Sequence, residues 1–374
     1  MNFDRRQMLI GATGACLLPP LQAQGTHQPG DVLRPRPLVF PRDHGSHNDT
    51  RTEWWYLTGH ARDASGRDFG FQITFFRSRV DEARHLKSRL AAKHLLFAHA
   101  AITDVKSGEL VHDQRIARWN GEPPARSGHA VFASVKDTHI ELRDWHLLRE
   151  PAGDYTMRVT SEALQIELRA QPRQAHLLQG DKGFSRKGPD AAQASFYVSQ
   201  PQLAVRGTLD VRGQRFAVQG SGWLDHEWSE ALLHPEAVGW DWIGMNLLDG
   251  SSLTAFQLRR KDGSKVWAGG SFRAAGSAQS PTDIYAFAAG EVDWQPRRFW
   301  TSPRTRARYP VEWVVRTPAD FYTIKAVIDP QELDSRASTG TVYWEGLSDL
   351  IDSNGRTVGR GYLEMTGYAQ RLVL

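Results

Sequence analysis

Phe69-Gly70-Phe71-Gln72-Ile73-Thr74-Phe75 alternates large apolar side chains with small or polar ones. A period of two puts Phe69, Phe71, Ile73 and Phe75 on one face of an extended chain, the pattern of a half-buried strand. Leu164-Gln165-Ile166-Glu167-Leu168 repeats it. So do Leu203 to Val211 and Arg215 to Val218, joined by Arg212-Gly213-Gln214. Turn signals recur at short intervals, at Ser65-Gly66, Ser107-Gly108, Ala152-Gly153-Asp154, Asp249-Gly250 and Asp262-Gly263. Many short strands joined by tight turns predict antiparallel meanders, hence a barrel or sandwich. Helical periodicity is scarce; Glu82 to Leu95 is the one stretch expected to form a short helix. There is no βαβ alternation and no glycine-rich phosphate loop, because Gly11-Ala12-Thr13-Gly14 belongs to the leader.

Composition agrees with an all-β chain. Of 374 residues, 33 are Gly, 19 Pro and 13 Trp, which favours turns and strands over helices. With 40% hydrophobic and 24% charged residues the chain can bury a core. Its length suits two barrels of roughly 140 to 200 residues each. Residues 24–46, rich in Pro, Gly and Arg, read as an extended lead-in. The first barrel is expected over 47–232 and the second over 233–374, with Leu232 to Val238 as connector. The formal charge of +4 is spread without a basic stripe, so no nucleic-acid partner is expected. Arg304-Thr305-Arg306-Ala307-Arg308 reads as a solvated loop.

The N-terminus reads as an address. Arg5-Arg6 precedes a modest apolar stretch ending near Leu18, broken by Gly11 and Gly14 and too short to span a bilayer. The pattern fits a twin-arginine export signal over 1–23, which places the mature protein in the periplasm or outside the cell, with no stable transmembrane segment. The sole cysteine, Cys16, lies within that signal. A lipoprotein anchor there is not expected, since Thr13-Gly14-Ala15-Cys16 lacks the usual leading Leu. The mature chain then has no disulfide and no thiolate chemistry.

Three tryptophan clusters carry acids at their centres: Glu53-Trp54-Trp55-Tyr56, Trp223-Leu224-Asp225-His226-Glu227-Trp228 and Trp240-Asp241-Trp242. Carboxylates are costly in apolar surroundings, so an acid set into an indole wall is a candidate for proton transfer to a greasy ligand. On a strand, Trp223, Asp225 and Glu227 share one face, and Leu224, His226 and Trp228 the other. Glu53 and Trp55 likewise oppose Trp54 and Tyr56. A structural account competes: Trp fills a barrel mouth, Asp225 accepts local hydrogen bonds, and His226 sits satisfied between strands. In the third cluster the two indoles share a face and Asp241 points away, as a structural partner would.

Other constellations are thinner. His44-Gly45-Ser46-His47 offers two imidazoles, but zinc needs a third fixed ligand. No metal and no cofactor is expected. Ser185 and Ser195 lie near Gly or aromatic residues, yet there is no Gly-x-Ser-x-Gly elbow, which argues against serine-hydrolase chemistry of the α/β type.

Phe40-Pro41-Arg42-Asp43-His44-Gly45-Ser46-His47, followed by Glu53-Trp54-Trp55-Tyr56-Leu57-Thr58-Gly59, resembles the opening of the carotenoid 1,2-hydratase-like family. Bacterial members are often labelled predicted secreted hydrolases, and one branch lies beside attachment-related ABC transporter components. The likeness continues through Gly70 to Arg77, Gln179 to Gly183, Trp223 to Trp228, Gly239 to Trp242, Tyr343 to Gly346 and Gly361 to Tyr368, so it covers nearly all the mature chain. It implies two consecutive lipocalin-like antiparallel β-barrels.

For activity, the resemblance implies acid-assisted hydration or isomerisation of a C=C bond in an apolar, isoprenoid-like molecule. In the hydratase branch the His and Trp of the second cluster are similar to His226 and Trp228. That branch also uses a Tyr and an Asp in a later strand, where this chain has Ser252-Leu253-Thr254-Ala255-Phe256-Gln257. An acid must then come from Asp225, Glu227 or Glu53, beside His226. The ligand-binding walls would be Trp54, Trp55, Tyr56, Trp223, Trp228, Trp240 and Trp242, with Trp240-Asp241-Trp242 leaning toward a domain-joining role. The alternative is a non-catalytic periplasmic lipid carrier, or an accessory to an ABC transporter permease. A secreted hydrolase ranks third, because no nucleophile–base–orienter set is legible.

Overall fold

The computed structural model describes residues 32–124, 130–277, 280 and 282–372. The export signal read over 1–23, including Cys16, lies outside the described residues.

The alternating stretch Phe69 to Phe75 lies within a meander. β1 (Thr52–Asp63), β2 (Asp68–Arg79), β3 (His94–Asp104) and β4 (Glu109–Trp119) pair antiparallel in succession. Seven shorter strands, β5 to β11, lie between Val131 and Arg186. The 18-residue strands β12 (Ala194–Val211) and β13 (Gln214–Ala231) form a long hairpin. Its turn has positive φ at both Arg212 and Gly213, the conformation that matches strand twist in a two-residue hairpin. β13 then pairs with β1, which brings the ends of this region together. The resulting 13-stranded sheet begins at β4 and ends at β5, and those two strands touch, so the sheet curls into a nearly closed barrel.

A second, 10-stranded antiparallel sheet follows. Its elements are β14 (Gly239–Leu247), β15 (Ser252–Arg259), β16 (Lys265–Arg273), five strands β17 to β21 between Ile284 and Ser335, then β22 (Thr341–Ile351) and β23 (Thr357–Met365). β23 pairs with β14, as β13 does with β1. The fold is all-β, in tandem lipocalin-like barrels. Residues from Val32 onward form one compact unit.

The expected helix at Glu82 to Leu95 does not form. A three-residue 3-10 turn, Asp81–Ala83, is followed by irregular chain until β3 begins at His94. Leu90 is 90% exposed and Leu86 43%, so there is no apolar surface for such a helix to cover. A short helix without a packed face is not stable in water.

Each barrel fills its own interior. Trp55, Leu57, Phe71, Ile73 and Leu224 belong to the first core, and Ile243, Met245, Trp344, Leu363 and Met365 to the second. A third apolar cluster joins them: Tyr56 and Trp223 from the first sheet pack with Trp242, Phe256, Leu347 and Tyr362 from the second. The outer faces approach closely. A Cβ at Gly70 would lie 2.7 Å from the Tyr362 hydroxyl, so a larger residue there would have to push that side chain away. Polar pairs rim the joint: Thr103 Oγ1 donates to Gln331 Oε1 at 2.9 Å, and Ser271 Oγ to Gln179 Oε1 at 2.8 Å.

Candidate functional site between the barrels

Register sorts the predicted residues onto two walls. β1–β13 pairing sets Trp54 opposite Glu227 and Tyr56 opposite Asp225, on the face toward the second barrel. It sets Glu53 opposite Trp228 and Trp55 opposite His226, on the face toward the first barrel's interior. Across the joint, β14 places Trp240 and Trp242 on the facing wall; Trp242 stands opposite Glu364 of β23, and Glu364 opposite Glu345 of β22. Between the walls lies a cavity of ≈ 230 Å³. Trp54, Tyr56, Asp225, Glu227, Trp240 and Trp242 line it, Glu53 also contributes to the lining although it belongs to the other face of β1, and Trp223 packs behind Asp225 and Trp242. Trp55, His226 and Trp228 do not. The site therefore lies outside both barrel interiors, where a lipocalin-like architecture alone would not have placed it.

Asp225 is the best-supported carboxyl on this wall. It is 2% exposed. Ser199 Oγ and Trp223 Nε1 donate to its Oδ1 at 2.5 and 2.7 Å, and the Tyr197 hydroxyl donates to Oδ2 at 2.6 Å. Trp242 Nε1 donates in turn to the Tyr197 oxygen at 2.9 Å. A carboxyl group has about four lone-pair sites. Three are used here, which leaves one on Oδ2 to carry a proton. Burial favours the neutral form and outweighs the three donors, so the group is raised to about 7. It can hold a proton near neutrality and release one, as a general acid must. Glu227 differs: Ser195 Oγ donates to its Oε1 at 2.5 Å, and Lys187 Nζ ion-pairs with the same oxygen at 2.9 Å. The Ser195 hydroxyl is thus committed to a carboxylate, not to an imidazole base.

Glu345 and Glu364 are further acids of the facing wall that the Trp clusters do not point to. Burial, followed by their mutual repulsion, pushes Glu345 well above the usual carboxylate range; burial pushes Glu364 up to about 8. Tyr343 and Tyr362 accompany them on the same strands. The signal was present in Tyr343-Trp344-Glu345-Gly346 and Tyr362-Leu363-Glu364, where aromatic residue and acid sit two apart and so share a face. The matching stretch Ser252 to Gln257, which lacks Tyr and Asp, gives the cavity only Phe256.

Glu53 has a different setting. Its carboxylate accepts from Arg77 Nε at 2.9 Å, from Ser46 Oγ at 2.8 Å and from the His47 backbone, and its Oε1 lies 2.9 Å from both His47 Nδ1 and His226 Nε2. Burial opposes its ionisation, but the Arg77 charge and the two imidazoles prevail and hold it well below the usual range. It is the centre of a buried ionic clasp, with His47 stacked on Trp228 at 3.7 Å and Trp55 on His226 at 4.7 Å. His47, Glu53 and His226 bring three ligand-type atoms within 4.8 Å of one another. The adjoining Arg77 guanidinium already supplies the positive charge there, so this donor set does not fit a cation. Asp241 points away from the cavity to Arg259 Nε at 2.7 Å, Gln257 and Tyr368.

A family model described as AttH-like matches residues 31–368. The chain belongs to the AttH-like family. Among similar solved structures, an AttH-designated protein from Nitrosomonas europaea shares 44% identity with a TM-score of 0.81, covering 90% of this chain and 99% of that one. Kievitone hydratase from Nectria haematococca superposes at 0.65 with 12% identity, covering 89% and 94%. CghA with Sch210972 superposes at 0.52, also with 12% identity, covering 85% and 88%. At 12% these two establish a shared fold. No curated protein sequence gives a significant match. Family membership agrees with the resemblance drawn from the Trp-rich motifs.

Proposed function

We propose that this AttH-like chain binds an apolar small molecule between its barrels and that Asp225 protonates it, in an acid-assisted hydration or isomerisation of a C=C bond. The observation that carries the reading is a buried carboxyl, oriented by Tyr197, Ser199 and Trp223 and set in an indole wall; burial raises it toward the neutral form. The proton on Asp225 Oδ2 passes to one alkene carbon, and the π electrons form the new C–H bond. The other carbon becomes a tertiary cation, which the faces of Trp54, Trp240 and Trp242 stabilise. For hydration, water adds to that carbon and returns a proton to Asp225. For isomerisation, the adjacent carbon returns it. A hydratase of the same fold supports this reaction class.

Turnover of isoprenoid alkenes by the wild type and Asp225→Asn tests it. Equal rates would remove Asp225 from the mechanism. We place the activity outside the cytoplasm on the strength of Arg5-Arg6 and the apolar stretch after it; cell fractionation checks that.

One observation favours a carrier role instead, alone or beside a transporter permease. β15 presents Phe256 and Leu258 to the cavity, with no acid between them. A carrier would retain an unmodified lipid through purification, and mass spectrometry of the extracted protein distinguishes it from hydrated product.

A further inference from the structure

The cavity between the barrels has more acid than its cations answer. Five carboxylic residues contribute to its lining: Glu53, Asp225, Glu227, Glu345 and Glu364. Two cationic residues do, Arg77 and Lys187. Arg77 is bound to Glu53 and Lys187 to Glu227. Among the described residues, no ion pair reaches Asp225, Glu345 or Glu364. His99 adds no charge, since burial holds it down at about 3. Asp225 has its own three donors, whereas Glu345 has only the Tyr56 and Tyr343 hydroxyls nearby, and its Oε1 and the Tyr56 hydroxyl, 3% and 5% exposed, make no hydrogen bond of normal geometry. Both line the cavity. A buried carboxyl oxygen without a well-formed hydrogen bond is costly, so Glu345 keeps an acceptor open toward the cavity.

The same walls show how they treat an ammonium group. Lys187 Nζ lies 4.1 Å from the Phe256 ring centroid and 4.6 Å from that of Tyr197, while a carboxylate holds it from the side. Carboxylate plus aromatic faces is a setting that suits alkylammonium. Glu345 and Glu364 repeat its ingredients, directly opposite each other on β22 and β23, with Trp240, Trp242, Tyr56 and Tyr343 around them, but without the cation.

We propose that the ligand of this cavity carries a cationic nitrogen on its apolar body, and that Glu345 and Glu364 receive it. The proposal rests on the reading that the cavity is the ligand site and adds the ligand's chemical class. Before binding, the two acids favour their protonated forms: burial, then the neighbouring Glu364, raises Glu345, and burial, then Asp225 and Glu227, raises Glu364. The arriving cation stabilises a carboxylate, so a proton leaves for solvent as the ion pair forms. Tyr56 then has an anionic neighbour to which it can donate. Affinity for a cation accordingly rises as pH approaches and passes about 8, the value for Glu364.

The test is calorimetric titration of the mature protein with octyltrimethylammonium, octanol and octanoate at neutral pH, in buffers of different ionisation enthalpy. We expect the ammonium to bind about tenfold or more tighter than octanol, with octanoate weakest, and to release about one proton. Glu345→Gln with Glu364→Gln should erase the proton release and bring the ammonium down to the affinity of octanol, with octanol binding retained. Octanol binding as tightly as the ammonium, with no proton released, overturns the cationic ligand while leaving the cavity as an apolar site. Binding of none of the three overturns both readings. The wild-type rank order decides even if the double variant folds poorly.

Discussion

Replacing Asp225 with Asn offers a measurement that does not require knowing the substrate. In the folded chain the Asp225 carboxyl is raised from 3.8 to about 7, chiefly by burial. Between those values the native state holds a proton that the unfolded chain has lost. Folding stability from this group is therefore complete below about pH 4, declines as pH rises toward 7, and is flat above. The full span corresponds to about 4 kcal/mol. Asn carries no titrating proton, and its carbonyl can still accept from Ser199 and Trp223. Its amide group confronts the Tyr197 hydroxyl, which imposes a pH-independent cost of about 1 to 3 kcal/mol. The slope of the difference, rather than its absolute size, isolates the titration. Urea unfolding followed by Trp fluorescence should show the variant gaining on the wild type by about 1.4 kcal/mol per pH unit between pH 5 and 7, then no further. Parallel stability profiles across that window would refute the claim that Asp225 is neutral when buried. With an alkene substrate the same variant should lose about 10² to 10⁴ in kcat.

Tyr197→Phe removes a donor that favours the Asp225 carboxylate, so the alkaline limb of the pH–rate profile should move up by about one unit; a downward shift would contradict the hydrogen-bond direction. Arg77→Met leaves Glu53 buried without its cation, and equilibrium denaturation should register a loss of about 3 to 5 kcal/mol. At Gly244 an added Cβ would lie 2.4 Å from the Trp242 ring. Gly244→Ala should therefore cost about 1 to 3 kcal/mol by overpacking and displace that indole, visible in near-UV circular dichroism.

Much of the architecture was legible because strand periodicity is local. Leu164 to Leu168 alternates because one face meets a core and the other solvent; Phe69 to Phe75 also turns its apolar face to a core, but its other face, with Gln72 and Thr74, is buried too, against the second barrel, so the strand is not half-buried as its pattern predicts, and the glycine-bearing turns follow from φ > 0. The failure at Glu82 to Leu95 has the same root: helix-like spacing means little without a surface to bury it. Alternation also separated Asp225 and Glu227 from His226 correctly, because the period of two leaves no choice. It could not say which face looks into a barrel and which looks out.

The sequence by itself determined the all-β class, the family, and the division of each Trp cluster into two faces, since these depend on neighbours along the chain. Only the tertiary structure decided that the acid-bearing face points outward, against a second barrel. That assignment depends on which strands close the sheet and on Gly70 allowing Tyr362 to approach. It separated two acids that looked alike: Glu53, matched by Arg77, and Asp225, which no ion pair reaches among the described residues. It also added Glu345 and Glu364, more than a hundred residues away in the chain. A carboxyl group's charge state depends on the solvent and counter-charges around it in three dimensions, and that is information a single strand does not contain.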